Sequence, residues 1–235
     1  MRYTESMRYL IGNWKSNKTF EETYTWFDEF SKVYSPVSDL SVVVAVPFLY
    51  IQEGQKKLAE LSLQKVSLAS QDVSPYPFGS YTGAVSAQML KGHVSYAIVG
   101  HSERREHFGE SHLEIASKID QLLEVGITPV LCIDEPYAQK QFATIDESKI
   151  EKLVIAYEPL EAIGTGQPAE PDHVATVVKK IRAIINNESV PIIYGGSTNA
   201  ENARTFLKVE GISGLLPGGS SLKPDVFAQM AQAYF

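Results

Sequence analysis

The chain has 235 residues, 44% of them hydrophobic and 21% charged, with a formal net charge of −7. This balance fits a soluble globular protein with a substantial core and argues against a general nucleic-acid or anionic-membrane surface, so an anionic ligand must be held locally by a few lysines and backbone amides. Cys132 is the only cysteine, which excludes an internal disulfide; no run of about 18 apolar residues is present to span a bilayer; and the polar start, residues 1–6, reads as an extension with no likeness to a signal peptide, so a cytoplasmic location is expected.

In chain order, short apolar runs predict strands at residues 8–12, 41–46, 66–69, 96–99, 128–132, 153–157, 191–194 and 214–216. Amphipathic stretches between them predict helices at 19–33, 51–61, 113–124, 171–185, 200–207 and 225–233, with a shorter one at 88–91. Lys223-Pro224-Asp225 suits a helix start, and Gly126 and Gly211 suit helix stops. Strand–helix alternation implies a parallel sheet with right-handed crossovers. Eight such units in this length predict a closed (β/α)8 barrel in a single α/β domain, 1–235; periodicity alone leaves an open α/β sheet as the alternative.

In such a barrel the C-terminal ends of the strands open on one face, so the residues that follow each strand should combine into one chemistry. The first strand runs into Gly12-Asn13-Trp14-Lys15. Lys15 offers a fixed positive charge suited to a phosphate or a developing oxyanion, and Asn13 adds a neutral amide donor. Taken alone, such a lysine is ordinary surface. The fourth strand runs into Gly100-His101-Ser102-Glu103-Arg104-Arg105, and His101 is the one histidine directly after a predicted strand. A helix starting near Ser102 would favour its neutral form, able to donate to a carbonyl and pass a proton between neighbouring oxygens. His101, His107 and His112 have no recognised ligand spacing, so no metal is expected. Cys132, ending the fifth strand, lacks an activating neighbour and reads as a small packing residue near the site.

The sixth strand ends in Glu158, followed by Pro159 and the run Ala162-Ile163-Gly164-Thr165-Gly166. Pro159 stiffens the exit, and the glycines give a mobile tip with exposed backbone N–H groups. That is the layout of a general base beside a lid that closes over a phosphate, although a lone strand-end carboxylate is more often unremarkable. Gly195-Gly196-Ser197 and Gly218-Gly219-Ser220-Ser221 follow the seventh and eighth strands, where backbone N–H groups commonly bind phosphate. A carboxylate base, a histidine, a lysine and a three-part phosphate cradle suit proton transfer next to a carbonyl in a small phosphorylated molecule.

These segments, in this order and over nearly the whole chain, resemble the triosephosphate isomerase family, whose fold is the TIM barrel. The resemblance implies interconversion of dihydroxyacetone phosphate and D-glyceraldehyde 3-phosphate, without a cofactor, in glycolysis and gluconeogenesis. It implies that Glu158 moves the proton between carbons, that His101 polarises the carbonyl and shuttles a proton between oxygens, that Lys15 and Asn13 stabilise the enediolate, and that Glu103 helps hold Lys15. Gly164, Ser197, Gly218 and Gly219 would bind phosphate through their N–H groups, alongside Asn13 and Lys15. The lid would comprise Pro159, Leu160, Glu161, Ala162, Ile163, Gly164, Thr165 and Gly166. Residues 74–83 resemble the family's dimer loop, with Thr82 reaching the partner's Asn13 and Glu103; a homodimer is therefore implied, with no nucleic-acid or membrane partner.

The chain also departs from the family. Glu161 stands where tryptophan is usual, near the counterpart of Glu135, so two like charges would meet unless a cation intervenes, and altered lid kinetics are expected. Ala84 stands where a glutamate usually pairs across the interface with the arginine matching Arg104, which puts dimer strength in question. Pro217 replaces a small apolar residue. Residues 134–152 look too few for the usual full helix after the fifth strand: Pro136 interrupts them, only 147–152 look helix-capable, and a loop or single turn with more exposed barrel wall is expected. Two other readings stay open. One is a barrel kept for phosphate binding or interaction, which the complete set Asn13, Lys15, His101 and Glu158 weighs against. The other is an aldolase-type enzyme with a lysine Schiff base, which borohydride trapping would expose.

Overall fold

The computed structural model of the chain describes residues 7–159 and 167–234. Runs of β-branched and small apolar residues form the strands β1 (Arg8–Asn13), β2 (Leu40–Val46), β3 (Val66–Ser70), β4 (Tyr96–Val99), β5 (Thr128–Ile133), β6 (Val154–Tyr157), β7 (Ile192–Tyr194) and β8 (Ile212–Leu215). They pair in parallel in chain order, and β8 returns to β1 through Tyr9↔Gly214 and Leu10↔Leu215. The sheet is a closed barrel, which removes the open-sheet alternative. Residues 1–6 lie outside the described residues.

Around the barrel run α1 (Phe20–Val33), α2 (Ile51–Glu60), α3 (Ala87–Leu90), α4 (Ser102–His107), α5 (His112–Val125), α6 (Glu135–Phe142), α7 (Glu147–Ile150), α8 (Pro171–Ile185), α9 (Ala203–Leu207) and α10 (Pro224–Gln232). Local chemistry sets their ends. Thr19 and Glu22 form a capping box at α1, Ser111 and Glu114 another at α5, and Gly126 ends α5 at φ +82. Two expectations are corrected here. α9 starts later than residue 200, because the Asn199 carboxamide accepts the N–H groups of Glu201 and Asn202 and holds them in a turn. Gly211 does not stop that helix; it lies in the turn leading to β8.

The larger correction concerns residues 134–152. They form two helices, α6 and α7, where a loop or single turn is expected from sequence. Pro136 sits in the first turn of α6, where a helix has no use for its N–H, and the Asp134 carboxylate caps that turn by accepting the N–H of Glu135 at 2.7 Å. Ala138, Gln141 and Phe142 face inward, and α6 packs on α5, α8 and β5, so the barrel wall is covered.

Two apolar layers follow from the strands' alternation. Ile11, Val43, Ile98, Val130, Cys132, Val154, Ala156 and Ile193 fill the barrel interior, while Leu10, Val42, Val44, Leu131 and Ile155 face the helices. Asn13 continues the inward row of Ile11, and Glu158 that of Val154 and Ala156. The outer layer is tied together by Trp26, which stacks on Phe30 with centroids 4.7 Å apart and donates its indole N–H to the Ser221 carbonyl at 3.0 Å. That bond joins α1 to the segment after β8 that carries part of the candidate site.

Candidate active site

Strand alternation delivers the Glu158 carboxylate to the barrel mouth, where it is 2% exposed. Three donors meet it: His101 Nε2, 3.0 Å from Oε1; the Ser102 backbone N–H, 3.1 Å from Oε2; and the Cys132 thiol. Burial alone would raise this carboxyl's pKa, but the His101 ring, the Ser102 N–H and the thiol outweigh it and hold it below the ordinary range. Burial, and after it the neighbouring carboxylate, push the Cys132 thiol well up, so Cys132 is a protonated donor and no nucleophile. Gly195 leaves the room needed: a Cβ there would stand 3.0 Å from Glu158 Cγ.

His101 reaches the same point by a turn. Gly100, at φ +66, breaks the alternation of β4, and a Cβ on it would meet the Arg105 guanidinium at 2.7 Å. The half-buried Arg105 in turn bonds the carbonyls of Gly100 and Cys132, joining the ends of β4 and β5. His101 caps α4, its Nδ1 accepting the Glu103 N–H at 3.2 Å. Burial opposes the imidazolium, while the Glu158 carboxylate beside it favours it strongly enough to raise the imidazole's pKa from its ordinary value. The cap decides where the protons sit. A proton on Nδ1 would face the Glu103 N–H, so we assign the neutral ring with its hydrogen on Nε2, donated to Glu158.

Lys15 spans the space between β1 and the last loop. Its Nζ donates to Glu103 Oε1 at 2.6 Å, and its Cε lies 3.4 Å from where a Cβ on Gly218 would stand. The Asn13 carboxamide oxygen accepts the Lys15 N–H at 3.0 Å. One cavity of about 380 Å³ is lined by Asn13, Lys15, His101, Glu158, Ser197, Gly218 and Gly219. Lys15 is the only fixed positive charge among its described lining residues. Glu103 stands behind Lys15 and does not line it. Pro159 is buried at the exit of β6, whereas Leu160, Glu161, Ala162, Ile163, Gly164, Thr165 and Gly166 lie outside the described residues. Thr82 is exposed on the loop that precedes α3. Among the described residues no group of three His, Cys, Asp or Glu could hold a metal ion.

Sequence reasoning missed several contributors. The Ser102 N–H became a partner of Glu158 only through the Gly100 turn. Cys132 is expected from sequence only as a packing residue near the site; it lies two residues after the inward Val130, a spacing that places its thiol beside β6 as a donor to Glu158. Thr198, Asn199, Leu216 and Ser220 also line the cavity, and Ser220 Oγ donates to the Thr198 carbonyl at 2.6 Å, tying the loops after β7 and β8. Gln71 directly follows β3, which runs one residue beyond the end at 69 expected from sequence. Pro217 offers its carbonyl to the Asn13 N–H at 2.9 Å, a bond any residue there could make.

A family profile described as Triosephosphate isomerase matches residues 8–234. The chain belongs to the triosephosphate isomerase family. It is 38% identical over 239 residues to the triosephosphate isomerase of Mesomycoplasma hyorhinis, covering 94% of this chain and 96% of that one. The figures are 39% over 242 residues for the Thermus thermophilus protein of that name, at 93% and 95% coverage. For the one from Aquifex aeolicus they are 38% over 248 residues, at 97% and 99%. Around two departures from the triosephosphate isomerase pattern the expected charged neighbours are already paired, Glu161 itself lying outside the described residues. Glu135 is paired with Lys180, a cation on α8. Arg104, without a glutamate at position 84, pairs inside its own chain with Asp72 at 2.9 Å and with Glu110.

Proposed function

We propose that this protein interconverts dihydroxyacetone phosphate and D-glyceraldehyde 3-phosphate through an enediolate, with Glu158 as base and no cofactor. The observation that carries the reading is the 3.0 Å approach of His101 Nε2 to Glu158 Oε1, in one cavity with Lys15. A triose bound there presents its carbon acid to a buried, ionised carboxylate and its carbonyl to a neutral imidazole N–H. Glu158 carries the proton between adjacent carbons; general base catalysis of this kind contributes about 10²- to 10⁴-fold. His101 polarises the carbonyl and passes a proton between the oxygens. Lys15 and the Asn13 amide meet the charge that develops on oxygen, which water would solvate less well than these fixed groups. Ser197, Gly218 and Gly219, with Gly164, supply N–H groups to the phosphate.

A second copy of the chain is the proposed partner. In the loop at 74–83, Tyr76 and Tyr81 stack with centroids 4.6 Å apart, and Phe78 is 73% exposed, an apolar surface that favours burial against another molecule. Thr82 would then reach the partner's site. Among the described residues no helix is long and apolar enough to cross a membrane, in keeping with an enzyme of small phosphorylated metabolites in the cytoplasm.

A coupled isomerase assay on wild type and Glu158→Asp tests the reading. Retracting the carboxylate by one methylene is expected to lower kcat about 100-fold while KM stays within a few-fold. An inactive wild type, or an aspartate variant as fast as wild type, would remove it.

A further inference from the structure

We infer that Gln71 is a positioning residue that holds Lys15 in its working backbone conformation, an inference that rests on the role given to Lys15 above. Lys15 has φ +52, in the left-handed region that residues with a Cβ seldom adopt. Such strain persists only where the surroundings over-determine it, and it concentrates at functional sites. Asn13 bonds the Lys15 N–H and Glu103 its Nζ. The third restraint comes from outside these known partners. Gln71 Nε2 donates to the Lys15 carbonyl at 2.9 Å and to the Ala45 carbonyl, at the end of β2, at 3.0 Å. Both N–H groups of one carboxamide are thus used to fix the lysine's peptide against the barrel rim.

Gln71 is itself held. The next residue, Asp72, accepts Lys118 Nζ at 2.6 Å and Arg104 Nη2 at 2.9 Å, and Glu110 bonds both of those cations. Lys118 has a side chain only 4% exposed and the other three residues are partly buried, so this cluster is a largely shielded anchor with balanced charge. Without the Gln71 donors, the Lys15 carbonyl loses the bond that holds it, while the Ala45 carbonyl keeps the Trp14 N–H at 3.1 Å, and the Lys15 peptide is free to relax to negative φ. Its ammonium then leaves the position beside Gly218 where an anion and a developing oxyanion meet it.

The test is a double-mutant cycle in the isomerase assay with Gln71→Met, similar in length but without donors, and Lys15→Met. Gln71→Met is expected to lower kcat/KM about 10- to 100-fold in the wild-type background, the cost of a displacement near 1 Å. In the Lys15→Met background it is expected to change kcat/KM less than twofold, because the group it positions is gone. The same fold-loss in both backgrounds, or no loss in either, overturns the inference. An inactive wild type overturns the isomerase reading and this inference with it, whereas an active wild type matched by Gln71→Met overturns the inference alone. Where Gln71→Met does not melt in a single transition, Gln71→Asn, which only withdraws the amide by one methylene, decides the cycle by the same criteria.

Discussion

A carboxylate that must take a proton from carbon has to be ionised while buried, and Glu158 meets both demands through its three donors. The consequence for pH follows from the sign of its shift. Its pKa is held below the ordinary glutamate value of about 4.3. Its contribution to stability is therefore fully present above that value and is lost as pH falls through the lower, folded-state value. Urea unfolding at stepped pH is expected to show wild type losing stability more steeply than Glu158→Gln below about pH 4.3. Parallel curves for the two proteins would mean that the donors do not hold the carboxylate ionised. Glu158 was legible in the sequence because it follows a strand directly, and Lys15 because it lies in the short segment that leaves the first strand. The Ser102 N–H and the Nε2–H tautomer of His101 were not, since both depend on a single left-handed glycine that sets the direction of α4.

At the scale of elements, α6 shows what residue order alone conceals. Pro136 reads as an interruption until it is placed in the first turn, where the missing N–H removes no bond. The residue that discloses the helix is Asp134, a capping side chain just ahead of it, and the buried triplet Ala138, Gln141 and Phe142 then falls on one face. Phe142 is 6% exposed, so Phe142→Ala is expected to destabilise the protein by about 3 kcal/mol in chemical denaturation, the range for a truncated core aromatic. A loss below about 0.5 kcal/mol, the size of ordinary surface changes, would restore the expected loop. The strands were easier to read. Most of their apolar runs are buried on both faces and leave no polar residue to blur the ends. β8 is the exception, expected at 214–216 and found at Ile212–Leu215, where the pairing with β7 shifts register at Ile192/Ile193.

At the scale of the whole molecule, barrel closure brings residues 13, 101 and 158 to one mouth; eight strand–helix units in this length point to it, and the pairing of β8 with β1 decides it against the open sheet that alternation alone also allows. What sequence alone could not supply is the electrostatic rearrangement around Arg104. With Asp72 and Glu110 already paired to it, this arginine has little call for a carboxylate from a second copy. In the proposed dimer, Ala84→Glu is accordingly expected to change the dissociation constant less than about threefold in sedimentation equilibrium, the range of an exposed ion pair. Phe78→Glu is expected to weaken the dimer about 30-fold or more, by the loss of roughly 2 kcal/mol of apolar burial. A tenfold tightening by Ala84→Glu would show that Arg104 is still available across the interface. Transfer of a carbon-bound proton by the Glu158 carboxylate can be followed by proton NMR of the reaction in D2O. Wild type is expected to place solvent deuterium on the carbon beside the carbonyl as product forms, and Glu158→Gln to slow that exchange at least 100-fold. Conversion without deuterium, or exchange that survives the glutamine, would contradict it.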